Sequence, residues 1–131
     1  MAYTLRRKDL LYTDLTDKII KAVFKVYNEL GDDLLEKYYQ KALALELKNL
    51  GLKFLEQVAV PLSYNEATIG RYFLDFIVEN KVVLEIKKHN NFGNKNIEQL
   101  LSYLKVKKLK LGLLINFIKI GVRIKRIVNL R

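Results

Sequence analysis

Ile19, Ile20, Val23, Phe24, Tyr27 and Leu30 recur at helical spacing and predict a first helix, with Thr16 as its cap and Gly31 as its stop. A second helix is predicted from residue 33 to about residue 50, with Leu35, Tyr38, Tyr39, Ala42 and Leu43 turned inward and Gly51 ending it. After Gly51 the period drops to two. Val58, Val60, Leu62 and Tyr64 share one face, and Pro61 among them marks an edge strand or a bulge. Residues 69–78 and 82–87 predict two stronger strands joined by Glu79, Asn80 and Lys81, which makes a hairpin. The segment from His89 to Asn94 breaks the pattern. Ile97, Leu100, Leu101 and Leu104 then mark a third helix ending in Lys105, Lys107 and Lys108. Residues 111–115 are continuously apolar, as in a strand covered on both faces, and residues 118–128 alternate apolar positions with Lys119, Arg123 and Lys125. The order helix, helix, three strands, helix, two strands predicts an α/β sandwich with a mixed sheet and no internal repeat.

Composition narrows the chemistry. The 131 residues are 50% hydrophobic with one proline, enough for one packed domain. The absence of cysteine excludes disulfides, zinc knuckles and thiol nucleophiles, and a single histidine excludes His-pair metal sites. Catalysis would have to come from carboxylates, Lys, Ser or Tyr. No apolar run approaches the roughly 18 residues that span a bilayer, and Arg6, Arg7 and Lys8 precede no signal-like core, so a soluble cytoplasmic protein with no membrane partner is expected. The charge of +10 leans toward a polyanionic partner, although a lysine-rich surface also arises without one.

Two carboxylates stand out within the apolar hairpin: Asp75 and Glu85. Burying a carboxylate without a partner is costly. Period two puts Phe73, Asp75 and Ile77 on one face of their strand, and Val83, Glu85 and Lys87 on one face of theirs. A three-residue turn pairs Val78 with Val82 and sets Asp75 opposite Glu85; a two-residue turn sends the acids to opposite faces. Directly opposed Cβ atoms lie about 4.5–5.5 Å apart, where like charges destabilise a sheet unless a cation lies between them. Lys87 supplies one positive charge, and Mg²⁺ or Mn²⁺ with oxygen ligands would supply more. The plainer alternative, each acid paired with a surface Lys or Arg, sits poorly with Phe73, Ile77 and Val83 on the same face.

The spacing Asp75-x9-Glu85-x-Lys87 resembles the Asp and Glu-x-Lys signature of the PD-(D/E)xK nuclease superfamily. More narrowly, residues 27–31, 34–39, 99–104 and 112–117 resemble the bacterial GxxExxY proteins over nearly the whole chain, with Asp33 standing where that family has its motif glycine. The resemblance implies a restriction-endonuclease-like α/β core, a mixed central sheet flanked by helices, as a single domain over residues 1–131. It implies that Asp75 and Glu85 bind the metal, that Lys87 positions or activates the attacking water, and that Glu36 extends the metal site. Gln99 and Tyr103, one helical turn apart, resemble an element that touches the site or the nucleic acid. Each has a plainer role beside it: Asp33 and Glu36 fit a capping box, Tyr103 fits the core, and His89 fits a loop without a catalytic part.

The expectation is a Mg²⁺- or Mn²⁺-dependent nuclease acting on DNA in repair, recombination or defence, without strong sequence readout. Lys88, Lys105, Lys107 and Lys108 are candidate phosphate contacts, as is the C-terminal group Arg123, Lys125, Arg126 and Arg131. The alternatives are a catalytically weak nucleic-acid-binding module on the same fold and a basic protein-interaction subunit. A homodimer is left open.

Overall fold

Helix α1 spans Thr13–Leu30 and α2 spans Glu36–Asn49; strands β1 (Phe54–Tyr64), β2 (Ala67–Val78) and β3 (Val82–Lys87) follow, then α3 (Asn94–Lys107), β4 (Leu111–Ile118) and β5 (Gly121–Val128). The structure is a computed structural model and describes residues 11–88 and 93–130. His89 and Arg131 lie outside the described residues.

The five strands form one sheet in chain order, antiparallel except for β3 and β4, which run parallel through the α3 crossover. Helices α1 and α2 cover one face. There Ile19, Val23, Tyr39, Leu43 and Leu47 meet Phe76, Val78, Leu84, Ile86, Leu113, Ile115 and Phe117, with the Tyr39 ring stacked 4.2 Å from Phe117. Helix α3 covers the other face, where Leu100, Tyr103 and Leu104 pack on Val60, Leu74, Ile77, Val83, Leu114 and Ile127. Gly112 permits that close approach, because a Cβ there would lie 2.9 Å from Leu100 Cδ2. The mixed sheet between helical layers is the architecture expected from the order of elements.

Several local expectations differ from the structure. Thr16 is inside α1 rather than its cap, its hydroxyl donating to the Thr13 carbonyl at 3.1 Å; Leu11, Tyr12 and Leu15 pack against the core and carry the helix start upstream. Helix α2 starts at Glu36 with Leu35 as N-cap and no side-chain cap, so Asp33 and Glu36 form no capping box. Leu35 and Tyr38 are exposed; the buried stripe is Tyr39, Leu43 and Leu47, at i, i+4, i+8. The last hairpin turns at residues 119–120, so β4 is eight residues long and β5 begins at Gly121. Pro61 lies on an edge strand as expected, with a register shift between Leu62 and Ser63. Among the described residues no helix is long and apolar enough to cross a membrane.

Candidate active site

The β2–β3 hairpin has the three-residue turn. Val78 pairs with Val82, Ile77 with Val83 and Phe76 with Leu84, while Glu79 and Asn80 both take left-handed φ and the Lys81 amide donates to the Val78 carbonyl at 2.9 Å. Continued by one residue, this register sets Asp75 against Glu85. There the ladder ends. The Asp75 amide donates to Glu85 Oε1 at 2.7 Å and the Ile86 amide donates to Asp75 Oδ2 at 2.8 Å, so each carboxylate occupies the place of the opposite strand's carbonyl. The acids therefore sit in a fork where the ladder ends, rather than side by side on one face of a continuous ladder as the alternation predicts.

The fork coincides with a change in the face of the β1–β2 ribbon. Phe54, Phe76 and Val78 pack under α1 and α2, whereas Val58, Val60, Tyr72 and Leu74 pack toward α3, although all of these positions are even-numbered. The inward face thus flips between Phe76 and Leu74 and between Phe54 and Val58. Gln57, across from Asp75 in the register, takes φ 50°, a conformation that costs a residue with a Cβ roughly 1–2 kcal/mol. Its side chain is tied down in return, donating to Gln40 Oε1 at 3.0 Å and to Asp75 Oδ1 at 3.4 Å. One consequence corrects the sequence reading: Phe73 is 49% exposed and does not flank the acids in the core, while Ile77 and Val83 are buried as expected.

The same flip brings Tyr72 to the site. Its hydroxyl donates to Glu85 Oε2 at 2.7 Å and its ring stacks on Tyr103 of α3 at 4.4 Å. Lys87 Nζ lies 3.5 Å from the Tyr72 oxygen and 3.9 Å from Glu85 Oε2. Burial and the neighbouring Asp75 push the Glu85 carboxyl up to about 7, against the bonds from Tyr72 and the Asp75 amide that favour its charged form. Burial also pushes the Asp75 carboxyl up, opposed by the Ile86 amide and Lys87. Burial and the bond to Glu85 hold the Tyr72 phenol protonated.

Two neighbouring acids, Glu85 buried and Asp75 half-buried, whose charged forms are both disfavoured mark a site short of positive charge. The donors are all hard oxygens with lone pairs left over, held on rigid strands, which suits a divalent cation of the Mg²⁺ class.

The family model of the PD-(D/E)XK nuclease superfamily matches residues 13–127. The chain belongs to that superfamily. Asp75, Glu85 and Lys87 stand on the β2–β3 hairpin within the matched segment. No match was found among curated proteins. A solved structure titled "Crystal structure of SSO0001" is similar over 83% of this chain with a TM-score of 0.57 and 17% identity, a likeness of fold alone. The chain spans 57% of that structure's length.

The remaining candidates fall in three places. Glu36, at the first turn of α2, accepts a hydrogen bond from the Lys88 amide at 2.9 Å, and its charge reaches Asp75. It does not join the two strand acids in a common ligand set: among the described residues no three His, Cys, Asp or Glu side chains gather closely enough to hold a metal. Gln99 bonds the Tyr103 hydroxyl, and the buried Tyr103 reaches the site through its stack on Tyr72, close enough for the Glu85 charge to act on its phenol. Lys105, Lys107 and Lys108 lie at the far end of the domain. They precede Leu111, which pairs with Val82, five residues and roughly 17 Å down β3 from Lys87.

Sequence reasoning missed Tyr72, Gln40 and Gln57. Gln40 carried a signal, four residues after Glu36 and hence on the same helical face. Tyr72 and Gln57 carried none, because their placement depends on the flip of the ribbon.

Proposed function

We propose that this PD-(D/E)XK domain is a divalent-metal-dependent nuclease that hydrolyses phosphodiester bonds of DNA, and that within the superfamily it stands with the GxxExxY proteins on the segments that resemble them. The observation that carries the reading is the fork: a buried Glu85 and a half-buried Asp75, both raised in pKa and each bonded to the other's strand, with the Lys87 ammonium beside them. Asp75 and Glu85 would hold the metal. Mg²⁺ or Mn²⁺ bound there would acidify a water and neutralise charge on the phosphate. Lys87 donates to a phosphate oxygen or to the attacking water, fixed in reach by Tyr72 and Glu85. Tyr72 holds Glu85 Oε2 in one orientation, and the stack on Tyr103 fixes Tyr72 in turn. Glu36 and Gln40 close the α2 side by bonding the Lys88 amide and Gln57. No helix or loop pattern points to base readout, so a substrate chosen by structure rather than sequence is the favoured class.

The test is cleavage of single-stranded, duplex and branched DNA, and of RNA, with Mg²⁺ or Mn²⁺. Cutting by the native protein that disappears in both Asp75→Ala and Glu85→Ala supports the reading. Binding of DNA without cutting of any substrate would replace it with a binding module on a nuclease fold.

A further inference from the structure

The charge of the chain is concentrated at its end: after Glu98 there are nine Lys or Arg and no Asp or Glu. The sheet sorts these cations into distinct places. Lys105, Lys107 and Lys108 sit at the Val82 end, away from the acids. Arg126 is spent on the fold, half-buried and donating to the Leu11 carbonyl at 3.1 Å. Arg123 and Lys125 stand apart in position. On β5, Val122 and Ile124 pack under α1 and α2, and Ile127 packs toward α3, so alternation puts Arg123 and Lys125 on the α3 side of the sheet, the side on which Lys87 meets Tyr72. Both are exposed.

Their register gives the geometry. Lys87 pairs with Asn116 on β4, and Asn116 pairs with Arg123 on β5, so the three form one row across the sheet. At about 4.8 Å per strand, Arg123 stands roughly 10 Å from Lys87, close to three nucleotide rises of about 3.4 Å. Beside it opens a groove of about 490 Å³ lined by Ile118, Lys119, Ile120 and Arg123, with two cations and no carboxylate among the described residues of its wall.

We propose that Arg123, Lys125 and Lys119 form a phosphate-binding strip on the exposed β5 edge that holds the nucleic-acid strand two to three nucleotides from the bond at the fork. This rests on the nuclease reading and adds the path of the substrate. The strip binds the sugar–phosphate backbone and reads no base. The Lys105 group, at the opposite end, lies off that path.

Binding of a fluorescein-labelled 20-mer DNA in metal-free buffer tests the strip without requiring catalysis. Arg123→Ala/Lys125→Ala is expected to weaken binding at least about tenfold near physiological salt and to lower the slope of log affinity against log salt by about two. Arg123→Lys/Lys125→Arg, which keeps both charges, is expected to bind within a few-fold of the native protein. Lys18→Ala/Lys21→Ala removes two exposed charges from α1 and is expected to change affinity by less than about threefold. Equal losses in the α1 and β5 variants would overturn the strip in favour of a diffuse field. Poly-glutamate binding as tightly as DNA through the same two residues would overturn the nucleic-acid assignment. Weakened binding in a protein that cuts nothing would leave the strip standing and defeat the nuclease reading alone.

Discussion

The two halves of the β2–β3 hairpin are built from one register and behave oppositely. From Phe76 to Val78 against Val82 to Leu84, backbone pairs with backbone and every side chain is buried and apolar. One residue further, at Asp75 and Glu85, carboxylates replace carbonyls as the acceptors of strand amides, and the site begins. The lower half holds the hairpin in place by burial; the upper half retains the structure's least comfortable charges because the lower half fixes them there.

Substitutions should separate the halves. The largest effect is on activity: Asp75→Ala and Glu85→Ala each lower cleavage by about a hundredfold or more while the far-UV circular dichroism stays native. Retained cutting in either variant breaks the division. Leu84→Ala, in the lower half, is expected to cost about 2–5 kcal/mol of stability in urea unfolding, as befits a fully buried leucine.

Glu85 inverts that result. Its carboxyl titrates near 7 in the folded chain, above the ordinary glutamate value near 4.5, so the fold binds its proton more tightly than the unfolded chain does. Stability from this group is complete below about pH 4.5 and is lost as pH rises through 7, on the order of 1–3 kcal/mol in metal-free buffer. Glu85→Gln should remove that slope and be the more stable protein at pH 8, read by urea unfolding at several pH values; an unchanged slope would count against the fork as a strained site. The smallest effect is expected from Tyr72→Phe. Losing one hydrogen bond costs about 1 kcal/mol, and because that bond favours charged Glu85, the rising limb of the pH–rate profile moves to higher pH. A uniform drop in rate with no shift would leave Tyr72 a packing residue.

The lower half was legible in sequence and the upper half only in part. A polar triplet between Val78 and Val82 sets the turn, and the turn sets the register that brings Asp75 to Glu85. Continuous apolar segments on β4 likewise announce a strand covered on both faces. What alternation does not carry is a change of phase inside an apolar run. Residues 72–78 read equally well with either face inward around Asp75, so Phe73 looks buried and Tyr72 looks irrelevant until Gln57 is seen at positive φ. Leu35 and Tyr38 mislead for a related reason, since apolar residues next to a buried stripe do not reveal on which side of it they fall. Of the three acids expected to hold a metal only Asp75 and Glu85 converge among the described residues, while Glu36 accepts from the Lys88 amide.

The nuclease function proposed for this chain turns on whether the fork between β2 and β3 holds a divalent cation. Anomalous diffraction from a crystal equilibrated with Mn²⁺ tests it directly. The expected result is a peak within about 2.0–2.6 Å of oxygens from both Asp75 and Glu85, absent from Glu85→Ala. Manganese bound elsewhere with the fork empty, or a fork peak that persists without Glu85, would contradict it.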